Sequence, residues 1–207
     1  MNFLICLSFW VADNSLHAAI RINESIHNFQ NTFSPPATQA TALVPFLKTC
    51  LGEVGNPPLT TIIAPRGPGS FTSLRVTLAT AQGLSIAFPN AQCFAPSHFE
   101  VMGFYGRQKF GPEVPFLLLI DSKRNNYFGQ LWNPAPEVPE FLDPDQVEGL
   151  QKKIPRLQVI YDHDFLNFYA EAQIHLLDAV PSPTAEQKVF APYYFYTPAY
   201  VKKPNIA

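Results

Sequence analysis

The sequence predicts an α/β protein in two parts, and three observations lead to this prediction. In the first hundred residues, apolar segments of strand length come first and then alternate with segments of helical spacing. Hydrophobic residues make up 47% of the 207-residue chain, which is enough to bury a sizeable core. This length suits one large domain or two small subdomains. We therefore expect two subdomains, at residues 1–104 and 105–207.

The composition of the chain is unusual for its low charge. Charged residues make up 14% of the chain, against roughly 25% in an average soluble domain. High hydrophobicity with low charge excludes a disordered chain. A net charge of −2 is atypical of a strongly basic nucleic-acid binder. Such low charge indicates either a neutral polar surface or a surface that a partner covers.

The apolar segments and cysteines indicate a cytoplasmic protein without a membrane span. No apolar run approaches the ~20 residues that cross a membrane. Residues 1–11 are apolar but lack a basic start and a small-residue cleavage site, so they are interpreted as a first strand. The three cysteines, Cys6, Cys50 and Cys93, are odd in number and lack metal-type spacing, which is typical of a reducing cytosol.

Three antiparallel strands are expected before the first helix of the first half. Pro45 lies inside that helix and removes one backbone donor. A sharp turn at residues 66–69 precedes the second helix, for which Ser70 is a suitable N-cap. The expected strands are residues 3–11, 15–22, 26–32, 59–64 and 91–95, and the expected helices are residues 38–51, 71–86 and 97–104.

The second half is expected to contain a hairpin and fewer helices. Four prolines within residues 133–144 predict a loop or an edge segment there. The aromatic, proline-bounded residues 190–207 are expected to lie across the surface. The expected strands are residues 114–121, 126–132 and 157–161, and the expected helical segments are residues 147–153 and 165–177.

The second helix carries two apolar stripes and almost no charge. Arg75 is the only charged residue between Arg66 and His98, whereas a surface helix normally has a charged face. The stripe expected to face the sheet is Phe71, Leu74, Leu78, Ala81 and Ser85. The stripe of small residues is Val76, Ala79, Thr80 and Gly83. Small residues let a second helix approach closely, so we favour a subunit interface; the alternative is a helix covered on both faces within its own domain.

The turn that opens the second helix is a candidate anion site. Gly67, Pro68, Gly69 and Ser70 precede the helix N-terminus, where free N–H groups can bind anions. No Gly-Lys-Ser/Thr follows, and the third glycine of a dinucleotide fingerprint is missing. The alternative interpretation is a helix start whose two glycines permit a tight turn.

The sequence contains no complete set of catalytic residues. The five histidines, at positions 17, 27, 98, 163 and 175, include no pair at helical metal-binding spacing. No Gly-x-Ser-x-Gly motif is present. Residues 162–164 form a polar turn, with a metal or acid–base site as the alternative interpretation. Asp121, Lys123 and Arg124 cluster at a hairpin tip and are interpreted as a solvated turn.

Residues 66–84 closely resemble the signature of the TsaB family, also called YeaZ. The segment reads RGPGSFTSLRV from residue 66 and LATAQGL from residue 78, where the family usually has GPGSFTGLRIG-x-A-x-A-x-G-L. Ser73 and Thr77 stand where glycines are usual. Gln39 stands where a histidine is common. Shorter similarities lie at residues 43–47, 121–127 and 198–202.

The resemblance implies an actin/sugar-kinase/Hsp70-like ATPase fold with two related subdomains, each a mixed β-sheet flanked by helices. It implies a non-catalytic subunit of the complex that installs N6-threonylcarbamoyl on adenosine 37 of tRNA. In that family the chain pairs with a related catalytic subunit, TsaD, and the pair engages an ATPase, TsaE. The resemblance further implies a homodimer when the chain is alone and tRNA contact only within the complex. No cofactor is expected, with any weak nucleotide binding arising through the partner complex.

The pairing surface that the resemblance implies coincides with the small-residue stripe. In the family, the first two helices form a bundle with the partner's equivalent helices, and these correspond here to residues 38–51 and 71–86. The expected interface residues are Thr72, Arg75, Val76, Ala79, Thr80 and Gly83, with Val44 and Leu47. The expected structural motif is Gly67, Pro68, Gly69 and Ser70.

The first hairpin departs from the family pattern and leaves other hypotheses open. The family's first strand commonly carries Asp-Thr-Ser, but an ungapped alignment places Trp10 at the aspartate position, and a shortened hairpin places Asp13 there. One alternative is an ATP-binding phosphotransferase or ATPase, with Asp13 as the candidate Mg²⁺ ligand. The other is a stand-alone homodimer. A metalloprotease is disfavoured because the His-x-x-x-His pair is missing.

Overall fold

Two mixed β-sheets form the framework of the chain. The computed structural model describes residues 4–165 and 169–179, together with residue 188. The first sheet contains β1 (Ile5–Ala12), β2 (Ser15–Ile22), β3 (Ser25–Thr32), β4 (Thr61–Ile63) and β5 (Gln92–Phe94). The second sheet contains β6 (Phe116–Asp121), β7 (Tyr127–Trp132), β8 (Glu140–Leu142) and β9 (Gln158–Tyr161). The α-helices are α1 (Gln39–Glu53), α2 (Phe71–Ala87), α3 (His98–Phe110), α4 (Pro144–Lys153) and α5 (Tyr169–Ala179).

The first sheet has the strand order β3-β2-β1-β4-β5. Its first three strands are antiparallel neighbours, as predicted, and β4 and β5 run parallel to β1. Tight turns join the antiparallel strands, with Asp13 at φ +47° and Asn23 at φ +55°. Asp and Asn tolerate this left-handed conformation better than other non-glycine residues. The sequence therefore fixes both hairpins locally.

One face of the first sheet is covered by α1 and α2. Thr38 caps α1 by accepting a hydrogen bond from the Thr41 backbone N–H, which satisfies one of the free groups at the helix start. The helices pack on alternate side chains of β1 such as Leu7 and Phe9. The buried helical residues are Leu43, Phe46, Leu47 and Cys50 of α1 and Ser73, Thr77, Leu78 and Ala81 of α2.

The second sheet has the strand order β8-β7-β6-β9. Strand β6 pairs antiparallel with β7 and parallel with β9. A small core between this sheet and α4 contains Leu117, Leu119, Leu142 and Val147. Each half therefore has a mixed sheet flanked by helices, which confirms the architecture expected from the resemblance.

The opposite face of the first sheet is covered by α3 and α5. Their apolar side chains join Cys6 and Trp10 of β1 to Phe116 and Ile120 of β6 in one core. Helix α5 therefore follows the second sheet in sequence but packs on the first. The guanidinium of Arg21 on β2 donates to the Asp178 carboxylate on α5 at 2.6 Å.

Several predicted boundaries require correction. Helix α3 continues to Phe110, beyond the predicted end near residue 104, and Gly111 at φ +90° ends it. Strand β8 lies at the edge of the second sheet, inside the segment predicted as a loop or an edge segment, so the edge alternative holds there. Phe165, predicted as the first residue of the final helix, ends a short 3₁₀ helix at Asp162–Phe165, and α5 is described from Tyr169.

The described residues do not decide the predicted domain boundary or the predicted surface tail. The boundary after residue 104 falls inside α3 and stays a prediction. The predicted surface tail at residues 190–207, which includes the similarity at 198–202, lies outside the described residues. Within the described part of the chain, no helix combines the length and apolarity that a membrane crossing needs.

Candidate functional site

A groove of about 840 Å³ runs between α1 and α2 on the outer side of the first sheet's helical layer. All eight residues predicted for the partner interface line it. They are Val44 and Leu47 on α1, and Thr72, Arg75, Val76, Ala79, Thr80 and Gly83 on α2. The structure therefore brings together residues that the sequence placed on two separate helices.

The groove has a buried floor and exposed sides. Leu47 is 2% exposed and belongs to the core, whereas Val44 is 57% exposed. Ala79 and Gly83 of α2 are exposed, and a Cβ added at Gly83 would meet no atom within 4 Å. The alternative in which α2 is covered on both faces within its own domain is therefore wrong.

The stripe of α2 that faces the sheet differs from the predicted one. Phe71, expected to face the sheet, is 73% exposed and lines the groove. Ser73 and Thr77, which stand where the family usually has glycine, are buried instead. The amide of Gln39 donates to the Ser73 hydroxyl at 3.0 Å, so two departures from the family pattern are in contact.

The charges lining the groove are all positive. Lys48 and Arg75 line it, and no Asp or Glu does so among the described residues. The Arg75 guanidinium lies over the Phe71 ring, 5.2 Å from its centroid, which is within the range of a cation–π contact. An apolar groove with basic edges suits a partner helix that carries apolar and acidic side chains.

The glycine turn before α2 is a packing element. Gly67 has φ +103° and Gly69 has φ +157°, conformations that favour glycine. A Cβ at Gly67 would lie 2.9 Å from Leu74, and one at Gly69 would lie 3.2 Å from the His98 ring. The backbone N–H of His98 donates to the Gly67 carbonyl at 2.7 Å. Ser70, predicted as an N-cap, makes no capping bond through its side chain.

A second candidate site is the cleft between the two sheets, which encloses about 130 Å³. Its rim contains Asp13 from the β1–β2 turn, Asp121 at the end of β6, Lys123 in the turn that follows, and Asp162 after β9. The Lys123 ammonium lies 3.5 Å from the Asp13 carboxylate and 3.4 Å from that of Asp121. The hairpin tip interpreted as a solvated turn therefore bridges the two halves.

The rim and floor of this cleft have different polarity. Burial raises the pKa of Asp162 above its ordinary value, although backbone N–H groups of Asp121 and His163 donate to its carboxylate. The floor includes Trp10, His98 and Tyr169, whose rings contact one another at centroid distances of 4.5–5.7 Å. This floor could not be predicted from the sequence because its residues come from three distant elements.

The charged groups on the rim of the cleft are mostly carboxylates. Three carboxylates line the rim, and Lys123, the one Lys or Arg among the described lining residues, already lies beside two of them. Free N–H groups at a helix start can bind an anion, and carboxylates can bind a cation. In the described part of the chain, no group of three His, Cys, Asp or Glu side chains is arranged to hold a metal ion.

Comparisons with known proteins agree with the fold and with the signature. The family model "TsaD: tRNA N6-adenosine threonylcarbamoyltransferase" matches residues 36–131, which include α1 and α2. The solved structure of YeaZ from Pseudomonas aeruginosa has a TM-score of 0.62 and 18% identity, covering 94% of this chain and 100% of that one. A Pseudomonas aeruginosa protein described as similar to peptidase YeaZ has the same score and identity and covers 94% and 99%. No protein of curated function matches the sequence.

The paired mixed sheets and the family-model match define a protein with an actin/sugar-kinase/Hsp70-like fold. The structural likeness to YeaZ extends over almost the whole of both chains. At 18% identity this likeness shows a shared fold, and residues 66–84 carry the resemblance to the TsaB (YeaZ) family.

Proposed function

We propose that this chain is a non-catalytic scaffold subunit of the complex that installs N6-threonylcarbamoyl on adenosine 37 of tRNA. It pairs through the groove between α1 and α2 with a TsaD-like catalytic subunit. A TsaE-like ATPase and tRNA then engage the assembled complex in the cytoplasm. The observation that carries this proposal is the groove itself, which unites the predicted interface residues on an exposed, nearly uncharged surface.

The shape of the groove supports docking of a helix. The exposed Ala79 and Gly83 present little side-chain volume on α2, so a second helix can approach toward the short end of the 8–10 Å range of axis separations. Phe71 and Val44 stand at the sides with 73% and 57% exposure. Burying side chains of this kind contributes about 1.5–3 kcal/mol each, which gives the groove the apolar contacts that anchor an interface.

The chemistry of the chain supports a role without catalysis. Among the described residues that line the inter-sheet cleft, Lys123 is the one Lys or Arg, and it already contacts two carboxylates. The formal net charge is −2, and binding to a nucleic-acid backbone needs clusters of Lys and Arg. We therefore assign contact with tRNA mainly to the partner.

Co-purification with a tagged TsaD-like protein tests this proposal. Ala79→Arg places a long cation on the exposed wall of the groove and is expected to abolish co-purification while the fold is kept. Ile86→Arg is the matched control, because Ile86 is 82% exposed on the same helix but does not line the groove. Equal binding by both variants would exclude the groove as the interface. An unchanged level of the modified nucleoside in cells depleted of this chain would contradict the proposed pathway.

Self-association is a second use of the same groove, because its exposed apolar sides would also accept a second copy of this chain. Sedimentation of the chain alone and with the TsaD-like protein distinguishes the two assemblies. The proposal expects a homodimer alone and a heterodimer in the mixture. A homodimer that persists unchanged in the mixture would favour the stand-alone alternative.

A further inference from the structure

The cleft between the two sheets has one end that favours negative charge. Gly69, Ser70 and Ser73, at the start of α2, line this end. Helix α2 has 17 residues, and the side chain of its N-cap residue, Ser70, makes no capping hydrogen bond. The first N–H groups of a helix lack partners within the helix and carry the positive end of its dipole. This end is therefore suited to a carboxylate.

The rim of the cleft favours positive charge. Asp13, Asp121 and Asp162 converge there from both sheets, and Lys123 is the one Lys or Arg among the described lining residues. Lys123 already lies between two of these carboxylates at 3.4–3.5 Å. An ammonium group of a ligand bound at the rim would contact the same carboxylates that the Lys123 ammonium contacts.

Three buried side chains on the floor of the cleft have unused hydrogen-bonding atoms. Trp10 and His98 are each 7% exposed and Tyr169 is 2% exposed. The Trp10 Nε1, the His98 Nε2 and the Tyr169 hydroxyl find no partner among the described residues. Buried polar atoms are normally paired, so these atoms point to a ligand that carries polar groups.

The volume of the cleft limits the size of its ligand. It encloses about 130 Å³, below the roughly 300–1,000 Å³ of pockets for drug-sized molecules. An engineered protein cavity of roughly 150 Å³ holds benzene, which has six non-hydrogen atoms. Alanine and serine are of this size, whereas a nucleotide is several times larger.

We propose that this cleft binds a small zwitterionic amino acid. Its carboxylate lies at the N-terminus of α2, and its ammonium group lies at the rim formed by Asp13, Asp121 and Asp162. The buried Trp10, His98 and Tyr169 supply hydrogen bonds from the floor. The site is separate from the groove between α1 and α2, so this inference does not depend on the proposed assembly.

Binding is tested by NMR titration of the full chain, with tryptophan indole N–H signals as reporters. The chain has two tryptophans: Trp10 lines the cleft, while the Trp132 indole donates to Gln130 outside it. Alanine and serine are expected to shift the Trp10 signal saturably and to leave the Trp132 signal in place. Ethylamine is alanine without its carboxylate, and propionate is alanine without its ammonium. Each is expected to bind at least about tenfold more weakly than alanine, because each keeps only one of the two charged groups that the site complements.

A charge variant locates the ammonium end of the site. Asp13→Asn removes one rim carboxylate at an exposed turn, where the fold tolerates the change, and is expected to weaken alanine binding several-fold. Asp145→Asn on α4 is the matched control and is expected to leave binding unchanged. Absence of a saturable Trp10 shift with either amino acid would overturn the proposal. Equal binding of propionate or ethylamine, or displacement of alanine by Mg²⁺–ATP, would overturn it as well.

Discussion

The side-chain amide of Gln39 donates to the Ser73 hydroxyl at 3.0 Å and to the Asp13 backbone carbonyl at 2.9 Å. This one side chain therefore connects α1, α2 and the β1–β2 turn. It joins the two walls of the partner groove to the rim of the inter-sheet cleft. The hydroxyl of Ser73 is buried, so its contact with Gln39 satisfies a group that water does not reach.

Gln39→Met is expected to lower the free energy of unfolding by about 1–2 kcal/mol. The substitution keeps the length of the side chain but leaves the buried Ser73 hydroxyl without this partner. Urea denaturation measures the effect. Gln30→Met on the exposed strand β3 is the control, and an equal loss in both variants would show that the Gln39 contacts contribute nothing specific.

Gly83→Leu is expected to change stability and partner binding in opposite directions. A Cβ at Gly83 meets no atom within 4 Å, and replacing an exposed helical glycine with leucine stabilises a helix by roughly 0.5–1 kcal/mol. The added side chain enters the groove and is expected to weaken binding of the TsaD-like subunit. Thermal unfolding and a binding titration measure the two effects. Unchanged affinity would show that no helix packs at this position.

Asp178→Ala is expected to destabilise the chain more than Arg21→Met does. The Arg21 side chain is 8% exposed and that of Asp178 is 48% exposed. Removal of Asp178 leaves a buried cation without its carboxylate, whereas Arg21→Met leaves a carboxylate that water can solvate. We expect about 3 kcal/mol for the first change and about 1 kcal/mol for the second. Urea denaturation of both variants tests the order, and the reverse order would contradict it.

Two glycine-to-alanine substitutions are expected to have effects of opposite sign. A Cβ at Gly103 on α3 would lie 2.1 Å from the Trp132 ring on β7, so Gly103→Ala forces α3 away from the second sheet and costs about 1–3 kcal/mol. A Cβ at Gly52 on α1 meets nothing within 4 Å, so Gly52→Ala is expected to stabilise by about 0.5–1 kcal/mol. Comparison of their unfolding midpoints tests both signs. Equal midpoints would contradict the packing of α3 on Trp132.

Acid is expected to destabilise the fold through His98. Burial lowers the pKa of His98 from 6.5 to about 4, so the unfolded chain binds a proton more readily than the folded one. The contribution of neutral His98 is fully present above pH 6.5 and is lost as the pH falls toward 4, by roughly 3 kcal/mol. His98→Gln is expected to flatten the dependence of the free energy of unfolding on pH, measured with urea at pH 7 and pH 5.

A control for the pH experiment is His27→Gln, because His27 is exposed on β3. This variant is expected to retain the full pH dependence of the parent. Burial also lowers the pKa of His17 to about 4, so part of the dependence is expected to remain in His98→Gln. An unchanged pH dependence in His98→Gln would show that His98 is not a source of the acid sensitivity.

The order of strands and helices could be predicted from the sequence because its signals are local. Asp13 and Asn23 mark the hairpins, and Thr38 and Ser97 cap α1 and α3. The end of α3 could not be predicted in this way. Gly103 and Gly106 on this helix provide space for Trp132 and Phe116 from the second sheet, and only the tertiary structure shows this packing.

The two candidate sites differed in how far the sequence revealed them. The groove was predicted because the small residues of α2 recur at helical spacing and because the family resemblance implies a partner surface on the first two helices. The cleft was not, since Trp10, His98, Asp121 and Tyr169 belong to four elements that only the tertiary structure brings together. The exposure of Phe71 was also missed, because periodicity alone does not show where a helix rotates away from the core.

The position of α5 governs when the first sheet can be completed during synthesis. The chain emerges from the ribosome with its N-terminus first. A sheet ordinarily folds as soon as its own strands and the helices that cover it have been synthesised. Here α5 (residues 169–179) covers the polar and aromatic face of β1 and β2, and it is synthesised after both sheets. It also carries Asp178, whose carboxylate accepts a hydrogen bond from Arg21. Until these residues have been translated, chaperones and other nascent chains can bind to this uncovered face. A fragment that stops before α5 is therefore expected to aggregate, and the two halves are expected to fold as one co-translational unit.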